Sequence, residues 1–239
     1  MRGIILAGGK GTRLLPATRV MNKHMIPIGT RPMIEYPIET LRTVFGIKKI
    51  MMVSGGEHLG AFADYLGDGS NHGVDVTYRV QKDAHGIAHA LTLAEDFVES
   101  DQEPFIVILG DNIFDNRALK KALKNASAWH APGVVIAHSD TPSRFGVPTL
   151  EHGKIRSVTE KPKHPASSYA VTGLYCYTPA LFPLLKKLKP SSRGELEISD
   201  INTRFAKEGK LSHVVLDGFW SDAGTPESLA RAHEWVAAQ

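Results

Sequence analysis

The first residues that could do chemistry form a glycine-rich segment followed by two cations. Gly8, Gly9 and Gly11 come directly after an apolar run, and Arg13 and Lys23 follow them. Glycine lets the backbone approach a ligand closely, so that several N–H groups can point at one anion. Arginine adds a forked donor for phosphate oxygens, and lysine adds a compact positive charge. The segment is therefore typical of a phosphate-binding loop.

Two common phosphate-binding motifs do not fit this segment. The P-loop requires Gly-Lys followed by Ser or Thr, but Gly9-Lys10 is followed by Gly11. The dinucleotide fingerprint requires a third glycine three residues after the second, and Leu14 stands there. This mismatch disfavours an NAD-type oxidoreductase. A tight turn with solvated cations is the simpler alternative, but an apolar strand, a glycine turn and paired cations together favour phosphate binding.

Two aspartates could hold a divalent cation. Asp111 lies in the segment VILGDN at 107–112, where an apolar strand ends in Gly110-Asp111, and Asp222 lies between a predicted strand and the last predicted helix. Ligands of open α/β sheets bind beyond the carboxyl ends of the strands. Mg²⁺ prefers oxygen ligands and often uses one or two carboxylates together with substrate phosphates. Each aspartate alone would be typical of a turn or cap, but together with the cationic loop they predict a Mg²⁺ site.

The elements that must position these residues alternate in the first half of the chain. Apolar runs predict strands at 3–7, 48–55, 74–80 and 104–111, and helical periodicity predicts helices at 32–45, 59–66 and 86–98. Strands that are apolar throughout belong to parallel sheets covered by helices. Repeated strand–helix alternation is typical of a doubly wound α/β fold.

The second half has more strands and fewer helices. The predicted strands are 133–139, 146–150, 154–162, 169–178 and 211–217, and the predicted helices are 180–188, 197–209 and 226–238. No linker-like or low-complexity segment separates the halves. We therefore expect one domain over 1–239, with an α/β half at about 1–130 and a β-rich half at about 131–239.

Composition excludes several classes of protein. The chain is 42% hydrophobic and 22% charged, as in ordinary globular proteins, and its net charge of +3 gives no argument for nucleic-acid binding. The single cysteine, Cys176, permits no internal disulfide. The opening apolar run is too short for a signal peptide, and no stretch has the length of a membrane span. We expect a cytoplasmic protein without a nucleic-acid or membrane partner.

Seven collinear segments resemble the sugar-nucleotide pyrophosphorylases, and within them the short glucose-1-phosphate thymidylyltransferases. The segments are GIILAGGKGTRLLPAT, YLGDGSNHGV, LGDN, EKP, YAVTGLYCY, RGELEISDIN and WSDAGT. The resemblance implies a Rossmann-like nucleotide-diphosphosugar transferase fold. In that fold a mixed, mostly parallel central sheet is flanked by helices and joined to a smaller β-rich sugar-binding part.

The resemblance also implies a reaction. A sugar 1-phosphate is joined to a nucleoside triphosphate with release of pyrophosphate and with Mg²⁺ as cofactor, and dTTP and glucose 1-phosphate are the leading pair. UTP, CTP, another sugar or another phosphorylated substrate remain open. A catalytically silent regulatory subunit that binds nucleotide sugars also remains open. The family implies a homodimer or homotetramer.

The resemblance implies that the half at about 1–130 binds the nucleotide and that the half at about 131–239 binds the sugar phosphate, and carried over by position it gives each candidate residue a role. The implied catalytic residues are Arg13, Lys23, Asp111 and Lys161. The implied nucleotide contacts are Leu6, Gly8, Gly9, Gly11, Thr12, Arg13, Gln81, Gly86 and Asp111, with Gln81 and Gly86 at the base. The implied sugar-phosphate contacts are Leu109, Gly146, Glu160, Lys161, Val171 and Arg193. Asp111 and Asp222 are the implied metal ligands, whereas Glu195 is expected to cap and pack.

The chain departs from the family pattern near the parts that choose the base and the sugar. His24 stands where the thymidylyltransferases usually carry Gln, and Phe145 stands where a Tyr is usual. The base-binding loop is altered at Lys82, Ala84, His85 and His89. The phosphate and metal residues are all retained, so the sequence predicts the type of reaction more firmly than the identity of the substrates.

Overall fold

The computed structural model describes residues 1–83, 85–98, 103–125 and 129–239; Ala84 of the altered base loop lies outside these ranges. The strands are β1 Gly3–Leu6, β2 Pro27–Ile28, β3 Arg31–Pro32, β4 Lys49–Gly55, β5 Asp75–Gln81, β6 Phe105–Leu109, β7 Ile113–Phe114, β8 Gly133–His138, β9 Gly146–Glu151, β10 Lys154–Glu160, β11 Tyr169–Tyr177, β12 Ser212–Leu216 and β13 Trp220–Ser221. The α-helices are α1 Glu35–Phe45, α2 Leu59–Leu66, α3 Ile87–Thr92, α4 Asn116–Asn125, α5 Phe182–Leu185, α6 Ile198–Lys207 and α7 Pro226–Ala237.

One large mixed sheet runs through the molecule. Its strands lie in the order β10-β9-β11-β6-β1-β4-β5, and β8 pairs with both β11 and β12. The strands β6, β1, β4 and β5 are mutually parallel, and Leu6 of β1 lies opposite both Val53 and Leu109. On the other side of β6, β11 pairs antiparallel. The predicted α/β fold with a mixed sheet flanked by helices is confirmed.

Successive residues of β1 point to opposite faces of the sheet, and each face has its own core. Ile4 belongs to a buried cluster that includes residues of α3, α5 and α6, whereas Ile5 belongs to one that includes residues of α1, α2 and α4. Both isoleucines are 0% exposed. Because strands covered on both faces bury every side chain, the uninterrupted apolar runs of β1 and β6 are explained.

Within the described residues, three predicted helices lose three or more residues at one end, and one helix was not predicted. The segment 32–45 becomes helical only at Glu35, because Pro32 pairs with Pro27 in a two-residue ladder. The segments predicted at 86–98 and 180–188 are α-helical only over Ile87–Thr92 and Phe182–Leu185. The unpredicted helix is α4, in which Leu119 is the buried residue among lysines, arginine and asparagines.

The sheet also joins the two halves of the chain, because β11 from the second half pairs with β6 from the first. This continuity supports the prediction of one domain. Within the ranges given above, no helix combines the length and the apolar character needed to cross a bilayer.

Candidate active site

The carboxyl ends of β1, β5 and β6 open into a cavity of about 240 Å³. Parallel strands bring these ends to one edge of the sheet, where ligands of such folds bind. The lining residues are Leu6, Gly8, Gly9, Lys23, Gln81, Gly86, Ile87, Ala90, Leu109, Asp111 and Glu195. Seven of these were predicted by sequence to contact nucleotide or sugar, which makes this cavity the candidate nucleotide site.

The glycine loop needs glycine for two different reasons. Gly9 has a φ of +96° and Gly11 a φ of +62°, both in the region that side chains disfavour. A Cβ on Gly11 would also lie 2.8 Å from Cγ2 of Thr18 and 3.1 Å from Cβ of Lys23. Because Gly11 has no side chain, the loop can pack directly against the segment that carries Thr18 and Lys23.

A second cavity of about 330 Å³ adjoins the first. Its lining residues are Arg13, Lys23, Ile87, Leu109, Asp111, Asn112, Arg144, Phe145, Gly146, Glu160, Lys161, Val171, Gly173, Tyr175, Glu195, Ile198, Ser199, Trp220 and Asp222. Lys23, Leu109 and Asp111 line both cavities. Two ligands occupying them would therefore meet beside the Lys23 and Asp111 side chains.

Asp111 is held as a carboxylate at this junction. Its Oδ2 is 2.5 Å from Nζ of Lys23, and its Oδ1 accepts a 2.9 Å hydrogen bond from Nδ2 of Asn112. Burial alone would raise the pKa of Asp111, but the Lys23 charge and these hydrogen bonds hold it below its usual value. The side chain is ready to act as an anionic ligand.

Asp222 lies in a different electrostatic environment. Its Oδ2 is 2.7 Å from Nη2 of Arg144, whereas its Oδ1 is buried and has no hydrogen-bond partner among the described residues. Burial and the charge of Asp111 raise the pKa of Asp222, and Arg144 only partly offsets them. An unpartnered buried oxygen that interacts with a second carboxylate indicates a missing positive charge.

These two carboxylates fit a divalent cation. The segment that carries Asp222 reaches Asp111, because a Cβ on Gly224 would lie 3.4 Å from Asp111 Oδ2 and 3.5 Å from Arg13 Nη2. In the part of the chain that the structure describes, no group of three or more His, Cys, Asp or Glu side chains has metal-binding geometry. Substrate phosphates and water would therefore have to complete the coordination, as is usual for Mg²⁺.

Asn112 links the two aspartate segments, although the sequence analysis assigned it no role. Its Oδ1 accepts hydrogen bonds from Nε1 of Trp220 at 2.7 Å and from the backbone N of Gly173 at 2.9 Å. Its Nδ2 donates to Asp111. The side chain is 2% exposed and uses both its oxygen and its nitrogen. Asn112 therefore fixes the orientation of Asp111 relative to β11 and β13.

The far side of the second cavity carries the predicted sugar-phosphate residues. Glu160 Oε2 accepts a 2.6 Å hydrogen bond from Ser199, and a Cβ on Gly146 would lie 2.9 Å from the same hydroxyl oxygen. Lys161 has a φ of +43°, and its backbone N donates to the carbonyl of Phe145 at 2.9 Å. Its side chain is 45% exposed, and Nζ lies 3.8 Å from Oε1 of Glu160, so the ammonium group faces solvent at the edge of the cavity.

Most predicted contact residues line one of the two cavities, but three do not: Gly11, Thr12 and Arg193. The Arg193 guanidinium is engaged by Glu160 at 3.4 Å, Glu195 at 3.0 Å and Glu197 at 3.4 Å. Glu195, expected to cap and pack, lines both cavities. Arg144 was also missed, because nothing in the sequence indicates that it pairs with Asp222.

Comparison with known proteins agrees with this geometry. A sequence profile described as Nucleotidyl transferase matches residues 2–239. The glucose-1-phosphate thymidylyltransferase of Neisseria meningitidis is 43% identical over 99% of this chain and 82% of its own length. A crystal structure of a provisionally named glucose-1-phosphate thymidylyltransferase from Bacillus anthracis, in complex with a sucrose, is 48% identical. It has a TM-score of 0.88, with 98% of this chain and 94% of that chain covered.

A structure of apo UDP-glucose pyrophosphorylase is more distant in sequence, at 26% identity, but has a TM-score of 0.84. It covers 99% of this chain and 98% of its own. The nucleotidyl transfer predicted from the sequence is confirmed by the profile match, and the predicted fold is confirmed by the solved structures. The chain belongs to the nucleotidyl transferase family.

Proposed function

We propose that this enzyme joins glucose 1-phosphate to dTTP, releases pyrophosphate and uses Mg²⁺ as its divalent cation. The observation that carries the proposal is the meeting of two cavities at Lys23 and Asp111, with the glycine loop beside one and Lys161 beside the other. The names of the relatives favour this substrate pair, because thymidylyltransferases acting on glucose 1-phosphate resemble the chain over 99% of its length.

The chemistry requires positioning rather than proton transfer. A phosphate monoester has a second pKa near ~6, so its oxygen is largely ionised at neutral pH and needs no general base. That oxygen attacks the α-phosphorus of the triphosphate; one P–O bond forms, and the bond to the departing pyrophosphate breaks. The main obstacle is the repulsion between two anions, which oriented cations reduce.

The basic side chains divide this work between the two substrates. Arg13 and Lys23 hold the triphosphate beside the glycine loop, and Lys161 holds the phosphate of the sugar. Arg193 stays a predicted phosphate contact, and in the structure its guanidinium is paired with Glu160, Glu195 and Glu197. Asp111 and Asp222 hold the divalent cation, which when bound supplies charge neutralisation at the phosphates.

Removing the Lys161 ammonium tests the proposed division of roles. We expect Lys161→Ala to lower kcat/KM by about 100-fold or more, since a charged contact to the reacting phosphate is lost. The fold should be unaffected, because the side chain is 45% exposed. Pyrophosphate release with dTTP and glucose 1-phosphate measures the effect. Lys163→Ala, which removes an exposed lysine two residues further on, is the matched control and should behave like wild type.

A change in the nucleotide is the main alternative within the same reaction class. UDP-glucose pyrophosphorylase has a similar structure, which favours UTP as the second candidate. Pyrophosphate release should be measured for dTTP, UTP, CTP, ATP and GTP, each with a panel of sugar phosphates. A preference for dTTP with glucose 1-phosphate supports the proposal. Absence of release with every pair would contradict it and favour the silent nucleotide-sugar-binding subunit.

Further proposals concern the protein as a whole. We expect one domain over 1–239, a homodimer or homotetramer, and a place in the cytoplasm. Light scattering of the purified chain measures the oligomeric state directly, and a monomer at micromolar concentration would contradict that part of the proposal.

A further inference from the structure

A histidine that differs from the family pattern contacts the side chain expected to meet the base. Gln81 ends β5, is 7% exposed and lines the nucleotide cavity. Its Nε2 lies 2.9 Å from Nδ1 of His89, which belongs to α3. Its Oε1 is directed at the glycine loop, because a Cβ on Gly8 would lie 3.2 Å from that oxygen.

In the arrangement that the structure shows, the amide nitrogen of Gln81 faces Nδ1 of His89. An amide nitrogen can only donate, so this contact pairs with the imidazole tautomer that has its ring hydrogen on Nε2. In that tautomer, turning the Gln81 amide around would place Oε1 against Nδ1, with two acceptors in contact and no hydrogen between them. With His89 in this state, the Gln81 carbonyl therefore stays directed at the cavity.

His89 is itself fixed by its surroundings. Its backbone carbonyl accepts a 2.7 Å hydrogen bond from Oγ1 of Thr92, and its ring packs edge-on against His85 with centroids 5.2 Å apart. The helix that carries it begins after Gly86, whose φ is +92° and where a Cβ would lie 2.8 Å from the carbonyl oxygen of Leu196. The start of α3 is thus held against the segment of Glu195 and Leu196, of which Glu195 also lines the cavity.

A fixed carbonyl oxygen in the base cavity distinguishes pyrimidines. Thymine and uracil present a ring N3–H that donates to it, whereas cytosine presents a ring N3 lone pair that is repelled. We propose that His89 is a positioning residue that selects thymine or uracil against cytosine by orienting the amide of Gln81. This inference rests on the proposed nucleotidyl transfer and adds a determinant of the base.

The test compares three side chains at position 89. Asn retains an acceptor close to the place of Nδ1, and Leu has the shape of Asn without polar atoms. The ratio of kcat/KM for dTTP to that for dCTP is measured with glucose 1-phosphate at a fixed concentration. We expect His89→Leu to lower this ratio about tenfold, and His89→Asn to stay within about threefold of wild type. The KM for glucose 1-phosphate should not change.

A double mutant shows whether His89 acts through Gln81. In a Gln81→Met background the amide is gone, so adding His89→Leu should leave the dTTP-to-dCTP ratio unchanged. A purely structural role for His89 would instead add a further effect in that background. If His89→Leu does not fold, the Gln81→Met and His89→Asn variants decide. Gln81→Met must then have a lower dTTP-to-dCTP ratio than wild type, and His89→Asn must keep the wild-type ratio.

Two results would overturn the inference: a wild-type ratio in His89→Leu, or an equal loss in His89→Asn and His89→Leu. Calorimetric binding of dTTP and dCTP to the same proteins gives the ratio without turnover. A protein that binds dTTP selectively but releases no pyrophosphate would contradict the proposed function. The role of His89 would then be tested by the binding ratio of dTTP to dCTP in the same variants. Absence of binding by both nucleotides would reject both proposals.

Discussion

At the scale of single residues, the candidate site contrasts two carboxylates that share one cavity. Asp111 is paired with Lys23, and its pKa is lower than that of an ordinary aspartate. Asp222 keeps an unpartnered buried oxygen, and its pKa is higher than that of an ordinary aspartate. Arg144 holds only one oxygen of Asp222. The same charge arrangement that leaves Asp222 incompletely satisfied in the protein alone makes it receptive to a cation.

Asn112 gives a test of how Asp111 is oriented. Asn112→Asp keeps an acceptor for Trp220 and Gly173 but removes the donor to Asp111 and places a second negative charge beside it. We expect kcat/KM to fall by about tenfold or more, since the lost hydrogen bond and the repulsion are each worth about 1 kcal/mol or more. Asn71→Asp, an exposed change of the same type, is the control. Equal activity of both variants would rule out the orienting role of Asn112.

His24 gives a prediction about pH and stability. It is 1% exposed, and burial together with the adjacent Lys23 lowers its pKa from 6.5 to about 3. Between these values the unfolded chain binds a proton that the folded chain does not, so stability decreases as the pH falls through this window. The slope is ~1.4 kcal/mol per pH unit for one proton.

Urea unfolding of wild type and His24→Gln at several pH values measures this contribution, because groups that do not interact with position 24 titrate equally in both proteins. We expect the free energy of unfolding of His24→Gln to fall less steeply below about pH 6.5. Parallel curves for the two proteins would show that His24 is not buried in its neutral form.

The site residues that could be predicted from the sequence are those whose role shows in their immediate sequence neighbours. Glycines, lysines and aspartates at strand ends could be assigned from order along the chain, and most of them line the two cavities. Asn112, Arg144 and Glu195 could not be assigned, because their importance depends on partners far away in sequence. Trp220, for example, is 108 positions from the asparagine that it contacts.

At the scale of elements, the strands were predicted better than the helices. Uninterrupted apolar runs mark strands buried on both faces, so β1, β4 and β6 follow directly from sequence. The helix α4 was missed because Leu119 is its one buried residue and six of its other nine positions carry lysine, arginine or asparagine. Prolines lie near the starts of α1 and α5. Pro32 pairs in a strand before α1, whereas Pro183 lies in the first turn of α5, and the sequence alone does not distinguish these two positions.

Two glycines give opposite predictions for the same substitution. Gly60 lies in α2 with open space around it, so Gly60→Ala should stabilise the protein by about 0.4–1 kcal/mol. In β11, a Cβ on Gly173 would lie 2.7 Å from Cγ and Nδ2 of Asn112 and from Cγ of Leu109. Gly173→Ala should therefore cost about 1–3 kcal/mol and also reduce activity. Urea unfolding measures both changes, and a neutral Gly173→Ala would contradict the close packing of β11 on Asn112.

At the scale of the whole molecule, the mixed sheet makes the two halves dependent on each other. The strands β6 and β11 pair over Phe105–Ile108 and Leu174–Tyr177, and residues of both halves share one buried cluster, so we expect that neither half completes its core alone. A nucleotide-binding unit that folds independently is not expected from this arrangement.

Cooperative unfolding checks this dependence. Far-UV circular dichroism follows all elements, whereas tryptophan fluorescence follows Trp220 and Trp235 in the second half and Trp129 at its boundary with the first. We expect the two urea transitions to coincide, as they do for a single cooperative unit. A first transition seen by fluorescence alone, with helices and strands of the first half retained, would show two separable domains.

The short ribbon of β7 and β13 has a consequence for biosynthesis. It pairs Phe114 with Trp220 and Ser221 with Ile113, which brings Asp222 to the loop of Asp111. A ribosome makes the first of these strands long before the second, so a growing chain holds its glycine loop and Asp111 while the other aspartate is still missing. Nascent chains stalled before residue 220 should therefore be inert, and translation must pass the ribbon before catalysis can begin.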